Sequence, residues 1–200
     1  TGLDNADFTL TTTGTIAGAT IPSVTQSTTS TYIVAVNTGS GEGTIRVDFV
    51  DDDSVIDTAS NPVGGTGAGN GNFTTGEVYT VDRTMPAVVS VVRAGSSPTN
   101  ASSVDFTVTF SEDVTGVGVA DFALTTTGVS GASITSRTQV TASVYTVTVA
   151  TGTGSGTIRL DVADDDTVKD TANNALGGNG AGNGAYTSGE VYTLDKTVPT

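Results

Sequence analysis

The sequence predicts an all-β protein made of tandem Ig-like Greek-key β-sandwich domains, the first lacking its N-terminal strands. Three observations carry the prediction. The chain repeats itself at domain length, its apolar residues alternate with polar ones at period two, and its composition suits strands and turns. Of 200 residues, 40 are Thr and 26 are Gly. Thr, Val and Tyr favour a pleated surface, while Gly, Asn and Asp favour the turns between strands.

The repeat comes first because it sets the domain count. Gly2–Gly14 (GLDNADFTLTTTG) returns as Gly116–Gly128 (GVGVADFALTTTG), an offset of 114. Tyr32–Pro86 then aligns without a gap on Tyr145–Pro199, an offset of 113 with 35 of 55 positions identical. A period near 113 residues fits one small domain with its own core and is far longer than a solenoid unit. By this phase residues 1–86 are the C-terminal part of one unit, 87–196 a complete one, and 197–200 the start of a following repeat. The chain therefore reads as a window on a longer array, and it contains neither a signal peptide nor an apolar run long enough to span a membrane.

The strands of the complete unit follow in order. Val88–Arg93 opens it. Val104, Phe106, Val108 and Phe110 alternate with polar neighbours, and Asp121–Thr127 and Ala132–Arg137 come next. Tyr145/Val147/Val149 and Ile158/Leu160/Val162 alternate in the same way, and Glu190–Asp195 closes the unit. Seven short strands in about 110 residues suit an Ig-like sandwich. With strands lettered A to G, the chain entry, the B–C loop and the F–G loop share one end. The first unit repeats the pattern at Tyr32/Val34/Val36 and Ile45/Val47/Phe49.

Charge excludes several functions. Lys+Arg 7 against Asp+Glu 21 gives a net charge of −14, which repels nucleic acid and anionic membranes and attracts divalent cations. Cys 0 and His 0 remove the usual ligands of zinc, copper, haem and iron–sulfur clusters, together with disulfides and the common catalytic bases. An enzyme is not expected.

The acids cluster. Asp51, Asp52 and Asp53 are followed by Asp57 and Asn61; the second unit has Asp164, Asp165, Asp166, Asp170 and Asn174. Each cluster opens a long Gly-rich loop that runs to Glu77 or Glu190, and the next strand ends at Asp82 or Asp195. Glu112 and Asp113 fall in the B–C loop. These side chains are the candidate ligands of Ca²⁺, a hard cation that takes six to eight oxygens in a flexible shell. The expected site is the joint between units, where Asp82 would meet Glu112 and Asp164–Asp166. The other reading is a solvated acidic turn whose glycines serve only the backbone. No EF-hand is present, since from Asp51 the fifth and sixth positions are Val55 and Ile56.

The blocks VDFTVTFSEDVTGV, DFALTTTG and GTIRLDVADDDTVKDTANNALGGNGAGNG…GEVYTLDKTVP resemble bacterial Ig-like tandem repeats of large extracellular surface and adhesin-type proteins. The resemblance covers essentially the whole chain. It implies a calcium-stabilised stalk or fibre segment at the cell surface, with adjacent repeats of the same protein as partners. Two alternatives stay open. One is a carbohydrate- or other ligand-binding adhesive module, for which Tyr79, Tyr186 and Tyr192 are the few aromatic candidates. The other is a filament subunit completed by strand exchange between chains.

Overall fold

In the computed structural model of the chain the described residues run from Gly2 to Pro199. Thr1 lies outside them, as does Thr200, which falls in the expected start of a following repeat. The chain divides into two compact units, Thr1–Arg83 and Thr84–Thr200. The first holds β1 (Phe8–Thr12), β2 (Thr20–Gln26), β3 (Tyr32–Asn37), β4 (Gly43–Phe49) and β5 (Val78–Val81). The second holds β6 (Val88–Arg93), β7 (Ser103–Phe110), β8 (Phe122–Thr127), β9 (Ser133–Thr141), β10 (Val144–Ala150), β11 (Gly156–Val162) and β12 (Val191–Leu194).

The second unit is a sandwich of two antiparallel sheets, ordered β6-β7-β10-β9 and β12-β11-β8. Lettered A to G, these are the A-B-E-D and G-F-C sheets of an Ig-like fold. Period-two alternation builds the core between them. Val104, Phe106, Val108 and Phe110 of β7 and Val147 and Val149 of β10 face Ile158, Leu160 and Val162 of β11 across one buried cluster. Phe106 meets Tyr192 edge-to-face, ring centroids 5.1 Å apart. Beyond the rings, the Tyr192 hydroxyl accepts the Gly95 N–H at 2.7 Å and donates to the Asp105 carbonyl at 3.0 Å, so its polar end is satisfied inside the core.

Three strands differ at their ends from the sequence expectation. β8 starts at Phe122, because Val119–Asp121 forms a 3₁₀ turn in which the Gly118 N–H donates to Asp121. β9 runs on to Thr141, and β12 is confined to Val191–Leu194. β9 is an edge strand with mostly exposed side chains, so no buried face marks its end in sequence.

The first unit keeps the counterparts of C, D, E, F and G, paired as β1-β4-β5 and β2-β3. Nothing among its described residues corresponds to β6 and β7. Equivalent residues therefore differ sharply in burial: Tyr79 is 70% exposed and Tyr192 1%, and Val63 is 39% exposed where Leu176 is fully buried. Ile45, like its equivalent Ile158, stays buried.

Candidate metal centre

The acidic run of the second unit lies on the loop between β11 and β12, where its carboxylates organise the glycines that follow. Asp164 is buried. Its Oδ2 accepts the Gly184 N–H at 3.0 Å, its Oδ1 the Asp166 N–H at 3.2 Å, and its carbonyl the Gly182 N–H at 2.9 Å. Asp166 has φ 66°, a turn conformation open to Asp, and both its carboxylate oxygens accept the Gly180 N–H, at 3.1 and 2.9 Å. Asp170, also buried, accepts N–H groups from Ala172 and Asn174 on Oδ1 and the Asn174 amide on Oδ2, each at 2.8 Å. Asp165 is exposed. The Thr167 hydroxyl and backbone N–H hold its carboxyl below the usual range. The loop folds tightly: Gly177 has φ 68°, and a Cβ there would lie 2.5 Å from the Gly184 Cα.

The first unit repeats this lacing. Asp51 accepts Gly71 and Asp53 N–H groups, Asp53 accepts Gly67, and Asp57 accepts Ala59 and Asn61. The Asn61 side chain lowers the Asp57 pKa first, followed by its backbone N–H. Asp52, exposed, is lowered chiefly by the Ser54 hydroxyl. Much of the acidic signal thus has a backbone role, with carboxylates capping N–H groups of a loop that has little core of its own.

Within the second unit, chain entry, B–C loop and F–G loop gather at one end. The Ala87 N–H donates to the Ser111 hydroxyl at 2.9 Å, and the Gly177 N–H to the Pro86 carbonyl at 2.9 Å. Thr115 and Lys169 exchange backbone hydrogen bonds of 2.7 and 3.1 Å. At this end Glu112 and Asp170 each bring a carboxylate oxygen within 4.8 Å of the other's. Two carboxylates this close repel, and a hard cation between them offsets that repulsion. Asp170 Oδ1 already accepts two N–H groups, but Oδ2 accepts only the Asn174 amide, so Asp170 keeps acceptor capacity there. An all-oxygen donor set fits Ca²⁺ and not a thiolate- or imidazole-seeking metal.

Two other expected ligands of the second unit bond elsewhere. Glu190 accepts the Arg93 N–H at 2.9 Å and pairs with its guanidinium at 3.3 Å, two contacts that lower its pKa in that order. Asp195 accepts the Thr197 N–H at 3.0 Å, and its own N–H donates to the Thr99 carbonyl. Asp113 and Glu77 are exposed, and Asp82 is half-buried in the first unit.

Two acids of the site were absent from the sequence expectation. Asp121 is buried and accepts the Gly118 N–H and the Thr167 hydroxyl, tying the B–C turn to the acidic loop. Asp7 holds Ser54 in the same way, at 2.9 Å. The repeated pair Asp7–Phe8 and Asp121–Phe122 was the available signal.

No protein-family model matches the chain, and no curated protein matches it. Among solved structures it is similar to FdeC, described as a novel, broadly conserved Escherichia coli adhesin eliciting protection against urinary tract infections. The identity is 18%, the TM-score 0.42, and the match covers 94% of this chain and 53% of that one, so the chain spans about half of that chain's length.

Proposed function

We propose that this chain is a structural segment of an extracellular stalk or fibre, of the kind carried by bacterial surface and adhesin-type proteins, and that Ca²⁺ stabilises its Ig-like units. The observation that carries the reading is duplication of scaffold and of loop together. One chain holds the C-to-G part of the strand order twice, each time with the same aspartate-laced glycine loop. A spacer needs this kind of repetition, whereas a ligand site needs only one specialised copy. The partners of each unit are then adjacent repeats of the same protein.

Glu112 and Asp170 are the first candidates for the ion, and Asp82, at the strand end ahead of the connector Arg83–Pro86, is the donor expected from sequence. Titration of Ca²⁺ into the intact chain tests the site. Saturable heat that disappears with Glu112→Gln and with Asp170→Asn supports it, and heat unchanged by both variants overturns it. A glycan array in Ca²⁺ tests the spacer reading separately: this chain binds no glycan if it is a spacer, and specific retention of one identifies it as a lectin.

A further inference from the structure

Three Asn–Gly pairs occur in the chain, all on the glycine loops: Asn70–Gly71 in the first unit, Asn179–Gly180 and Asn183–Gly184 in the second. The three asparagines are exposed, so water reaches their amides. Glycine has no side chain to shield its nitrogen, which leaves such a pair open to succinimide formation. The Gly nitrogen bonds to the Asn Cγ and the Cγ–Nδ2 bond breaks. The proton released from the Gly nitrogen leaves with the side-chain nitrogen as ammonia. Water then opens the ring to Asp or isoaspartate, which adds a negative charge and, in isoaspartate, a methylene to the backbone.

The loop uses both members of these pairs. Asn183 Nδ2 donates to the Gly178 and Asn179 carbonyls, each at 3.1 Å, and Asn70 Nδ2 donates to the Gly65 carbonyl at 3.2 Å. A Cβ on Gly184 would lie 2.6 Å from the Leu176 carbonyl oxygen, and Gly180 has φ 118°, where a side chain is strained. The loop therefore keeps a sequence that is chemically fragile.

In all three pairs the attacking nitrogen is already engaged. The Gly71 N–H donates to Asp51 Oδ2 at 3.0 Å, the Gly184 N–H to Asp164 Oδ2 at 3.0 Å, and the Gly180 N–H to both oxygens of Asp166 at 3.1 and 2.9 Å. Each bond holds the proton that must be lost, and the adjacent negative charge disfavours the amide anion that attacks. The caps also shape the loop: Asp53 accepts the Gly67 N–H although Thr66, not Asn, precedes it.

We propose that Asp51, Asp164 and Asp166 guard the loops against deamidation: each takes the one N–H whose attack would convert an exposed asparagine, so that Asn70, Asn179 and Asn183 are modification sites held off by the fold. The proposal depends on neither the repeat reading nor the calcium reading.

Incubation of the intact chain in mildly alkaline buffer with chelator, followed by peptide mass spectrometry of ammonia loss at each asparagine, tests it. A synthetic peptide of residues 174–188 is the unfolded reference, in which no aspartate caps the glycines. Asn179 and Asn183 should deamidate about tenfold or more slowly in the protein than in the peptide, as expected for loss of a charge-assisted hydrogen bond. Asp166→Gly, which suits the φ 66° turn, should speed Asn179 and leave Asn183 near the parent rate. Asp164→Ala should speed Asn183 more than Asn179. A general loosening of the loop would instead speed both sites alike in each variant, and that result overturns the proposal. So would equal rates in protein and peptide, or variants in which deamidation slows, since the carboxylates would then act as bases for the attack.

Discussion

Arg159 donates from Nε to Asp161 Oδ1 at 2.6 Å, and from Nη2 to Oδ2 at 3.2 Å. Two residues apart on β11, they share the face turned away from the core, and Thr125 of the neighbouring β8 donates to the same Oδ2 at 2.6 Å. Arg46, Asp48 and Thr11 repeat the arrangement in the first unit. The group fastens F to C on the outer face of the G-F-C sheet, with an almost buried carboxylate at its centre. Asp161→Ala and Arg159→Ala should each lower the melting temperature. In a double-mutant cycle the two should couple. Additive effects at neutral pH would reduce the pair to a surface contact.

The units should differ in stability. Phe106→Ala opens a cavity in a closed core and should cost about 3–5 kcal/mol. Tyr79→Ala, at a mostly exposed position, should stay within about 0.5 kcal/mol. Urea unfolding of the intact chain should accordingly show two transitions, the first unit melting earlier. A single transition reporting on both units contradicts this.

Loop order should depend on the buried acids. Asp164→Ala removes the acceptor for Gly184 and leaves that N–H without its partner. Limited proteolysis should then cut within residues 177–184 faster than in the parent chain, while β-sheet circular dichroism is unchanged. Resistance equal to the parent would show that the loop holds its shape without the carboxylate.

Stability should fall in acid. The carboxyls of Asp48, Asp57, Asp165 and Glu190 are all lowered by their hydrogen-bond partners in the folded state. A depressed folded pKa means that the unfolded chain binds more protons in the titration window. The stabilisation is thus complete above the unfolded values and lost as pH drops through the folded ones. Melting temperature should be level above about pH 5 and decline below about pH 4. Burial raises the Tyr145 hydroxyl, with opposing help from Arg137, so its contribution is full below about pH 10 and lost as pH climbs through the folded value.

The sandwich was legible because β7, β10 and β11 bury alternate residues, so Val104, Phe106, Val147 and Ile158 declare a face. The 3₁₀ turn at Asp121 and the reach of β9 to Thr141 were not, since neither carries an apolar period. In the loop, the aspartates were legible but their partners were not. Asp164 binds Gly184, Asp166 binds Gly180 and Glu190 binds Arg93, and these pairings depend on how the loop folds and on strands distant in sequence. Much of the acidic count thus resolves into carboxylates engaged by backbone N–H groups or arginines, while Glu112 and Asp170 lie close to one another.

That pair carries the central claim, and thermal melting of the intact chain tests it most directly. At ~1 mM Ca²⁺ and a Kd of ~0.1 mM, linkage stabilises the bound state by about 1.4 kcal/mol. A domain of this size then melts roughly 5–10 °C higher in Ca²⁺ than in chelator. The account predicts that shift in the parent chain and its loss in Glu112→Gln and Asp170→Asn; equal melting temperatures with Ca²⁺ and with chelator would contradict it.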